Sequence, residues 1–468
     1  MTFYELTKSL ITDFAFNDCC KNANSQMIRW CGMKMDERKI VLVGAGSAQF
    51  GLETMADFFL SKILKGSTVV LHDINEQALD RMKKIGEAAL RDMHSGFKLE
   101  ATLSRKEALA GADFIISSIE IGDRFKLWEQ DLAIPRKYGN RQTFGENGGP
   151  GGLFHSLRII PPILEICADV QDICPNAVFI NFSNPMSRIC LAIKRKFPHL
   201  KVIGLCHEIS FLERFLPRIL GIPFKNLGNL KAGGLNHFGV LLEVNYKDSQ
   251  KDAYPDIMAK VLNYFETNKV REVNLIKYII TRYHILPYTS DSHFGEYIHW
   301  GWEKIDEKAV RDFYTGYKAS CKSEPRRLQR FFDGALSPKH WLKSSGERAI
   351  PIIEGIITNS GQYELSVNIP NIDGIIEGLP HDLVIECPAT VDKTGCHGVK
   401  LKNAPKGIVG LWRNQASVQD LVVEAALTHS KELALQALLV DPVVDSATSA
   451  EQMLEEILKV QSEYIHLT

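Results

Sequence analysis

Hydrophobic positions open the readable part of the chain as an unbroken branched block, KIVLV from Lys39 to Val43. It breaks on Gly44 and Gly46 and passes into apolar positions at helical spacing through Met55, Phe58, Phe59 and Leu60. That sequence of patterns predicts a buried parallel strand, a tight turn and a helix. A second apolar run, STVVLHDIN, ends at Asp73, and a third, GADFIISSIEIG, spans Gly111 to Gly122. The amphipathic stretch LRIIPPILEICADVQDIC, the strand AVFINFSNPM and the strand KVIGLCHEI, ending at Cys206 and His207, continue the alternation. Strands alternating with helices predict an α/β fold, a Rossmann-like doubly wound parallel sheet. From Lys231 the pattern is mixed: short strands around NHFGVLLEV, helical stretches DIMAKVLNYFE and VNLIKYIITRYH, a strand-rich span from Tyr363 to Glu386, and two closing helices with a Leu/Val core stripe. The expected organisation is an N-terminal appendage over 1–36, a dinucleotide-binding domain over 37–230 and a mixed α/β substrate and metal domain over 231–468. Translation starting at Met33 or Met35 would account for the appendage.

The first turn carries chemistry. Gly44 and Gly46 let the backbone approach a pyrophosphate, Ser47 follows at the helix start, and Asp73 with Asn75 stands at the end of the second strand, where an acidic side chain reaches an adenine-ribose diol. Asp73 would repel a 2′-phosphate, so the pattern favours NAD over NADP. The third glycine of the fingerprint is absent, with Gln49 in its place. The competing reading makes Asp73 a solvated strand end.

Further along, Asn147 and the glycines around Pro150 predict a flexible loop able to close over a ligand, or a plain surface turn. Cys206 and His237 lie at strand ends, where ligands bind in an open α/β sheet. A lone Cys is more often a small buried hydrophobe, and a lone His a satisfied core or surface group. A second Cys-His pair, Cys396-His397, sits in a charged, Gly-flanked context that reads as a surface loop.

Composition removes whole classes. With 468 residues, two or three domains are expected at roughly 100–200 residues each, and 45% hydrophobic with 24% charged residues excludes a disordered or collagen-like chain. Fifty-five basic against 56 acidic residues leave no field to collect nucleic acid. Ten irregularly placed cysteines form no disulfide framework and no CxxC zinc site, which points to a reducing cytoplasm. No apolar run approaches the ~20 residues of a membrane span, and the first 36 residues lack a signal-peptide pattern.

Seven strings in order resemble glycoside hydrolase family four: GAGS with Asp73, GPGG at 149–152, NFSNPM at 181–186, GLCH at 204–207, GLNHF at 234–238, SHFGEY at 292–297 and VNIPN at 367–371. The resemblance implies a sheet related to lactate and malate dehydrogenases, with NAD and Mn²⁺ or another divalent metal as cofactors. It implies Cys206 and His237 as metal ligands, overriding the softer preference of a thiolate, and Asn184 as a sugar contact. The implied reaction oxidises the sugar at C3, removes the acidified C2 proton with metal assistance, eliminates the aglycone, adds water and re-reduces C3, so the net change is hydrolysis without the usual carboxylate pair. Phospho-sugar members carry a tyrosine where this chain has His293. His293 is therefore the candidate base, titrating near neutrality, with Asp291, Glu296 and Tyr297 as alternatives or His293 as a mere substrate donor. His207 is the candidate general acid. The Cys-His pairing at 206–207 resembles members acting on unphosphorylated α-hexosides, most of all α-galacturonidases, with α-galactosidases and α-glucosidases next. A uronate would call for Arg141, Arg188 or Arg348. Family members are commonly dimers or tetramers, so a homodimer or homotetramer is expected. The rival readings are an NAD-dependent dehydrogenase of a hydroxy acid or sugar alcohol, and a non-catalytic NAD sensor.

Overall fold

Six short segments, each too apolar to face water on either side, assemble the first half of the sheet: β1 (Lys39–Val43), β2 (Thr68–His72), β3 (Lys98–Thr102), β4 (Phe114–Ser117), β5 (Val178–Asn181) and β6 (Lys201–Gly204). The exception is β3, KLEAT, which is half exposed because it lies at the edge. This computed structural model describes residues 37–47, 50–93, 96–333 and 342–468. The expected appendage over 1–36 and Gln49 lie outside them. All neighbouring pairs in this half are parallel, in the order β3-β2-β1-β4-β5-β6, the doubly wound dinucleotide-binding arrangement.

The sheet does not stop at β6. The remaining strands are β7 (Leu227–Leu235), β8 (Phe238–Tyr246), β9 (Leu286–Pro287), β10 (Gln362–Pro370), β11 (Val384–Asp392) and β12 (Gly395–Gly398). They continue it antiparallel as β10-β11-β7-β8-β9, with β12 paired to β11. The joins are narrow. β10 meets β6 at Asn368 and Gly204, and β11 meets β7 at Glu386 and Gly234. Gly204 is required there, since a Cβ would stand 2.6 Å from Met186 Sδ and 2.8 Å from Cys190 Sγ.

Helices cover both faces. One face packs against Phe50–Leu60, Glu76–Met93, Ser210–Leu220, Tyr254–Thr267, Asn274–Tyr283 and Ala349–Thr358; the other against Gly149–Ile173, Met186–Lys196, Lys406–Thr428, Lys431–Val440 and Ala447–Val460. The stretch 417–444 forms the two expected helices, and Ala447–Val460 adds a third beyond it. Among the described residues no helix is long and apolar enough to cross a membrane.

Two expectations need correction. The GPGG string is the buried first turn of the helix Gly149–Ile173, and no flexible loop forms there. Its glycines serve close packing: a Cβ on Gly152 would lie 2.3 Å from the backbone carbon of Asn147, and one on Gly151 2.5 Å from the Gly145 oxygen. Cys396-His397 lies on the edge strand β12, where His397 Nε2 meets Asp392 Oδ1 at 3.0 Å.

Candidate active site

At the amino half of the sheet the glycine turn folds against the end of β2. Gly44 adopts φ +82°, and the amides of Gly44 and Ala45 both donate to the His72 carbonyl at 3.0 and 3.1 Å. Gly46 N donates to Asp73 Oδ2 at 2.7 Å and Asn75 N to Asp73 Oδ1 at 2.8 Å, so Asp73 ties the turn to the strand end. Asn75 Oδ1 accepts from Ala78 N at 3.0 Å and caps the next helix. Ser47 O accepts from Gly51 N at 3.0 Å. The third glycine missing from the fingerprint is present two positions later: a Cβ on Gly51 would stand 2.3 Å from the Ala45 oxygen, so Gly51 permits the close helix-to-turn contact. Beside Asp73, Ile74 is 94% exposed.

Farther along the same carboxyl edge of the sheet, Cys206 lies just past β6 and His237 in the two-residue turn between β7 and β8. His237 is held at φ +62°, a left-handed conformation uncommon outside glycine. Cys206 Sγ and His237 Nε2 are 3.4 Å apart, the separation of two ligand atoms around one ion with bonds of about 2.0–2.3 Å. The Asn147 side-chain amide lies 2.9 Å from His237 Nδ1 and 3.2 Å from Glu146 Oε2; with His237 Nε2 turned to Cys206 as a ligand atom, Nδ1 carries the proton and the amide oxygen is its acceptor. The ligand atoms of Glu146, His237 and His293 lie within 4.8 Å of one another. The His293 ring stands edge-on to His237, centroids 4.4 Å apart, with Nε2 3.8 Å from Glu146 Oε2.

The electrostatics of this cluster are those of a cation site. Glu146, Glu208, Glu296 and Glu386 are all buried. Burial first, then the neighbouring carboxylates, push Glu208 and Glu296 well above the usual carboxylate range, and burial pushes Glu386 up to about 7. Burial, then Glu386 and Glu208, push the Cys206 thiol well up. Burial pushes His293 down to about 4, against the pull of Glu146. A divalent cation between thiol and imidazole would reverse each of these penalties except that on the imidazole, which it needs neutral. Buried polar atoms without hydrogen-bond partners gather here: the outer end of the Asn147 amide, Ser187 Oγ, Arg188 Nη2, Glu208 Oε2 and Gln419 Oε1, and Asn184 Oδ1, next in the chain to Pro185 of the same cavity, is another. Asn147, Ser187, Arg188 and Gln419 line one small cavity with Asn236 and Tyr297, a lining suited to a hydroxyl-rich ligand.

The structure thus brings together Cys206, His237, His293, Asn147 and Tyr297, the last with its hydroxyl 3.4 Å from the Asn236 carbonyl. Other sequence-selected residues are engaged elsewhere. The Asp291 carboxylate accepts from the amides of Asn274 (2.8 Å) and Ile276 (3.2 Å), capping the helix Asn274–Tyr283. Arg348 makes a bidentate pair with Glu364, both bonds 2.8 Å, and Arg141 pairs with Asp445. His207 stays beside the cluster: its side chain is 69% exposed, with Nδ1 3.7 Å from Glu347 Oε1, and it interacts electrostatically with Glu146, His237 and His293. Sequence reasoning passed over Glu146, Glu208 and Glu386. Glu146 stands just before the GPGG string and Glu208 just after GLCH, which was the available signal; Glu386 had none.

Fold and site together define a nucleotide-binding α/β enzyme with a cysteine–histidine donor pair at the carboxyl end of its sheet. The family 4 glycosyl hydrolase model matches residues 39–222 and its C-terminal domain model residues 232–444, and the chain belongs to this family. It is therefore a glycosidase in class. It is 46% identical to an alpha-glucosidase of Erwinia rhapontici over 92% of this chain and 99% of that one. It is 29% identical to an alpha-galacturonidase of Thermoanaerobacterium saccharolyticum, over 94% and 98%. A 6-phospho-beta glucosidase from Thermotoga maritima, solved with manganese, NAD+ and glucose-6-phosphate, superposes with a TM-score of 0.76 at 24% identity, over 92% of this chain and 100% of that one.

Proposed function

We propose that this chain hydrolyses α-glucosides of unphosphorylated sugar with the help of NAD and a divalent cation such as Mn²⁺. The observation that supports the chemistry is the convergence of Cys206, His237 and His293 among buried carboxylates. The substrate class rests on the alpha-glucosidase similarity, which is far higher than that to the alpha-galacturonidase. Of the three arginines considered for a uronate, only Arg188 has an unpartnered nitrogen at the cluster.

When bound, the nicotinamide supplies a hydride acceptor and donor, and the cation supplies Lewis acidity toward sugar oxygens. Gly44 and Gly46 shape the turn for the dinucleotide, Asp73 faces its ribose, and Ile74 offers an apolar surface to its adenine. Cys206 and His237 hold the cation, with Asn147 orienting the imidazole. Asn184 accepts from a sugar hydroxyl through its free oxygen. His293, neutral through burial, takes the C2 proton at Nε2. The domain division at about residue 230 would then put one ligand of the cation in each half.

The test is release of 4-nitrophenol from α- and β-glucosides, galactosides, galacturonides and glucuronides, with Mn²⁺, NAD or a thiol reductant singly omitted. Cleavage of the α-glucoside that disappears without metal or NAD, with no net NADH, is the expected result. Preferred cleavage of the α-galacturonide would move the substrate to Arg188 and a uronate. Steady NADH formation from a free sugar or acid without cleavage would replace the hydrolase by a dehydrogenase.

A further inference from the structure

The proposed reaction leaves one buried cation unused. Arg188 is 1% exposed, its Nη1 donates to Ser156 Oγ at 3.2 Å, and its Nη2 has no partner. It stands in the first turn of the helix Met186–Lys196, a few residues past Asn184. Ser187 Oγ beside it and Gln419 Oε1, from the helix Lys406–Thr428, are also buried without partners. All three residues line one cavity. A buried polar atom that has left water and found no partner is costly, so three around one space mark a seat for a polar guest.

The cavity adjoins the cation ligands. Asn147, whose amide lies 2.9 Å from His237 Nδ1, and Asn236, which precedes His237 in its turn, form part of its wall with Pro185 and Tyr297. The space admits roughly one water-sized group, too little for a carboxylate or a phosphate. Arg188 can only donate and Gln419 Oε1 can only accept. A hydroxyl satisfies both at once, whereas a carboxylate or a phosphate dianion brings acceptors alone and would leave Gln419 unpaired. Asp441 and Glu296 already face the guanidinium charge. Of the hydroxyls of a hexopyranose, that on C6 stands on an arm off the ring and can enter a space of this size while the ring stays outside.

Resting on the hydrolase reading above, we propose that Arg188 and Gln419, with Ser187, receive the C6 hydroxyl of the sugar and are the specificity-determining residues for a neutral hexose. With O6 seated there and C2 and C3 at the cation and His293, the ring is held at both ends, which fixes C1 for departure of the aglycone. A hexuronate or a 6-phosphate is refused twice, by the room and by the unpaired Gln419 oxygen. No bond to O6 forms or breaks, and the arginine acts by binding alone.

Substrate analogues test this before any variant is needed. With Mn²⁺ and NAD present, the unmodified protein should cleave 4-nitrophenyl 6-deoxy-α-D-glucopyranoside with a kcat/KM about 10–100-fold below that of the parent glucoside, the loss expected when a charged donor is left unpaired. Arg188→Met should shrink that ratio to within about threefold, while the ratio for the 4-deoxy analogue stays as in the unmodified protein. Gln419→Leu, which leaves the buried charges alone, should shrink it in part and keeps the test open if Arg188→Met does not fold. General damage to the fold would lower all three substrates alike and leave the ratios. Equal kcat/KM on the parent and 6-deoxy glucosides in the unmodified protein, or a 6-deoxy ratio unchanged in both variants, would overturn the proposal and leave the cavity to an ordered water. Failure of the unmodified protein to cleave any glycoside would instead remove the hydrolase reading. Weaker binding of 6-deoxy-D-glucose than of D-glucose, measured by calorimetry, would then still support the seat for O6, and equal binding would overturn it.

Discussion

His293 and Cys206 make opposite demands on a single replaced atom. Replacing His293 by Gln keeps volume and a polar end but removes the lone pair facing Glu146, so kcat should fall by about 10²–10⁴-fold while NAD affinity, read by fluorescence titration, is unchanged. Cys206→Ser exchanges a thiol for a hydroxyl, and Mn²⁺ affinity by calorimetry should drop by more than about tenfold, since even an outer-shell change costs that much. Both residues were legible because they stand in short strings at predicted strand ends. Of the buried glutamates, Glu296 was named beside His293, and Glu146, Glu208 and Glu386 were not. Each is one of 56 acidic residues, and nothing local separates Glu386 from the rest; only the join of β11 to β7 at Gly234 carries it toward Cys206 and His237. Asp291 and Arg348 misled for the converse reason: their neighbours in sequence belong to motifs, but a helix terminus and Glu364 occupy their polar atoms.

At the scale of elements, the parallel strands were readable from their continuous apolar runs, and β3 was not, because an edge strand with alternating Lys, Glu and Thr has no such run. The glycine turn shows how a fingerprint can be displaced and still function. Gly51→Ala puts a methyl against the Ala45 oxygen and should lower both Tm and NAD affinity; overpacking of this kind costs about 1–3 kcal/mol. The helix Arg124–Lys137 is pinned to Gly149–Ile173 by Asp131 and Arg158, both buried, with bonds of 2.5 and 3.0 Å and Gln461 donating to the same carboxylate. Asp131→Ala leaves a guanidinium buried without its partner and should cost about 3–5 kcal/mol, measured by urea unfolding.

The whole molecule concentrates strained acids, and this sets its response to pH. Glu272, Glu347 and Glu386 are held at about 8, 7 and 7, burial being the main cause in each. In the unfolded chain they titrate near about 4.3. The unfolded state therefore releases these protons first, and stability falls as pH rises from there through 7 to 8. His293, held at about 4 against about 6.5 unfolded, acts in the opposite sense, adding stability as pH rises from 4 to 6.5. Between pH 6.5 and 8 only the carboxyls act. Metal-free protein should lose Tm across that window, and saturating Mn²⁺ should flatten the loss.

The order of the sheet reaches further still. β10 and β11, from late in the chain, are threaded between β6 and β7, so no cut at any point separates it into two complete layers. The segments 39–222 and 232–444 each contain one member of the donor pair, and each leaves the other with a bare strand edge. In genetic terms the halves are one inheritance unit. A hybrid that takes its amino half from one relative and its carboxyl half from another must match Gly204 to Asn368 and Gly234 to Glu386, or it assembles neither the sheet nor the site.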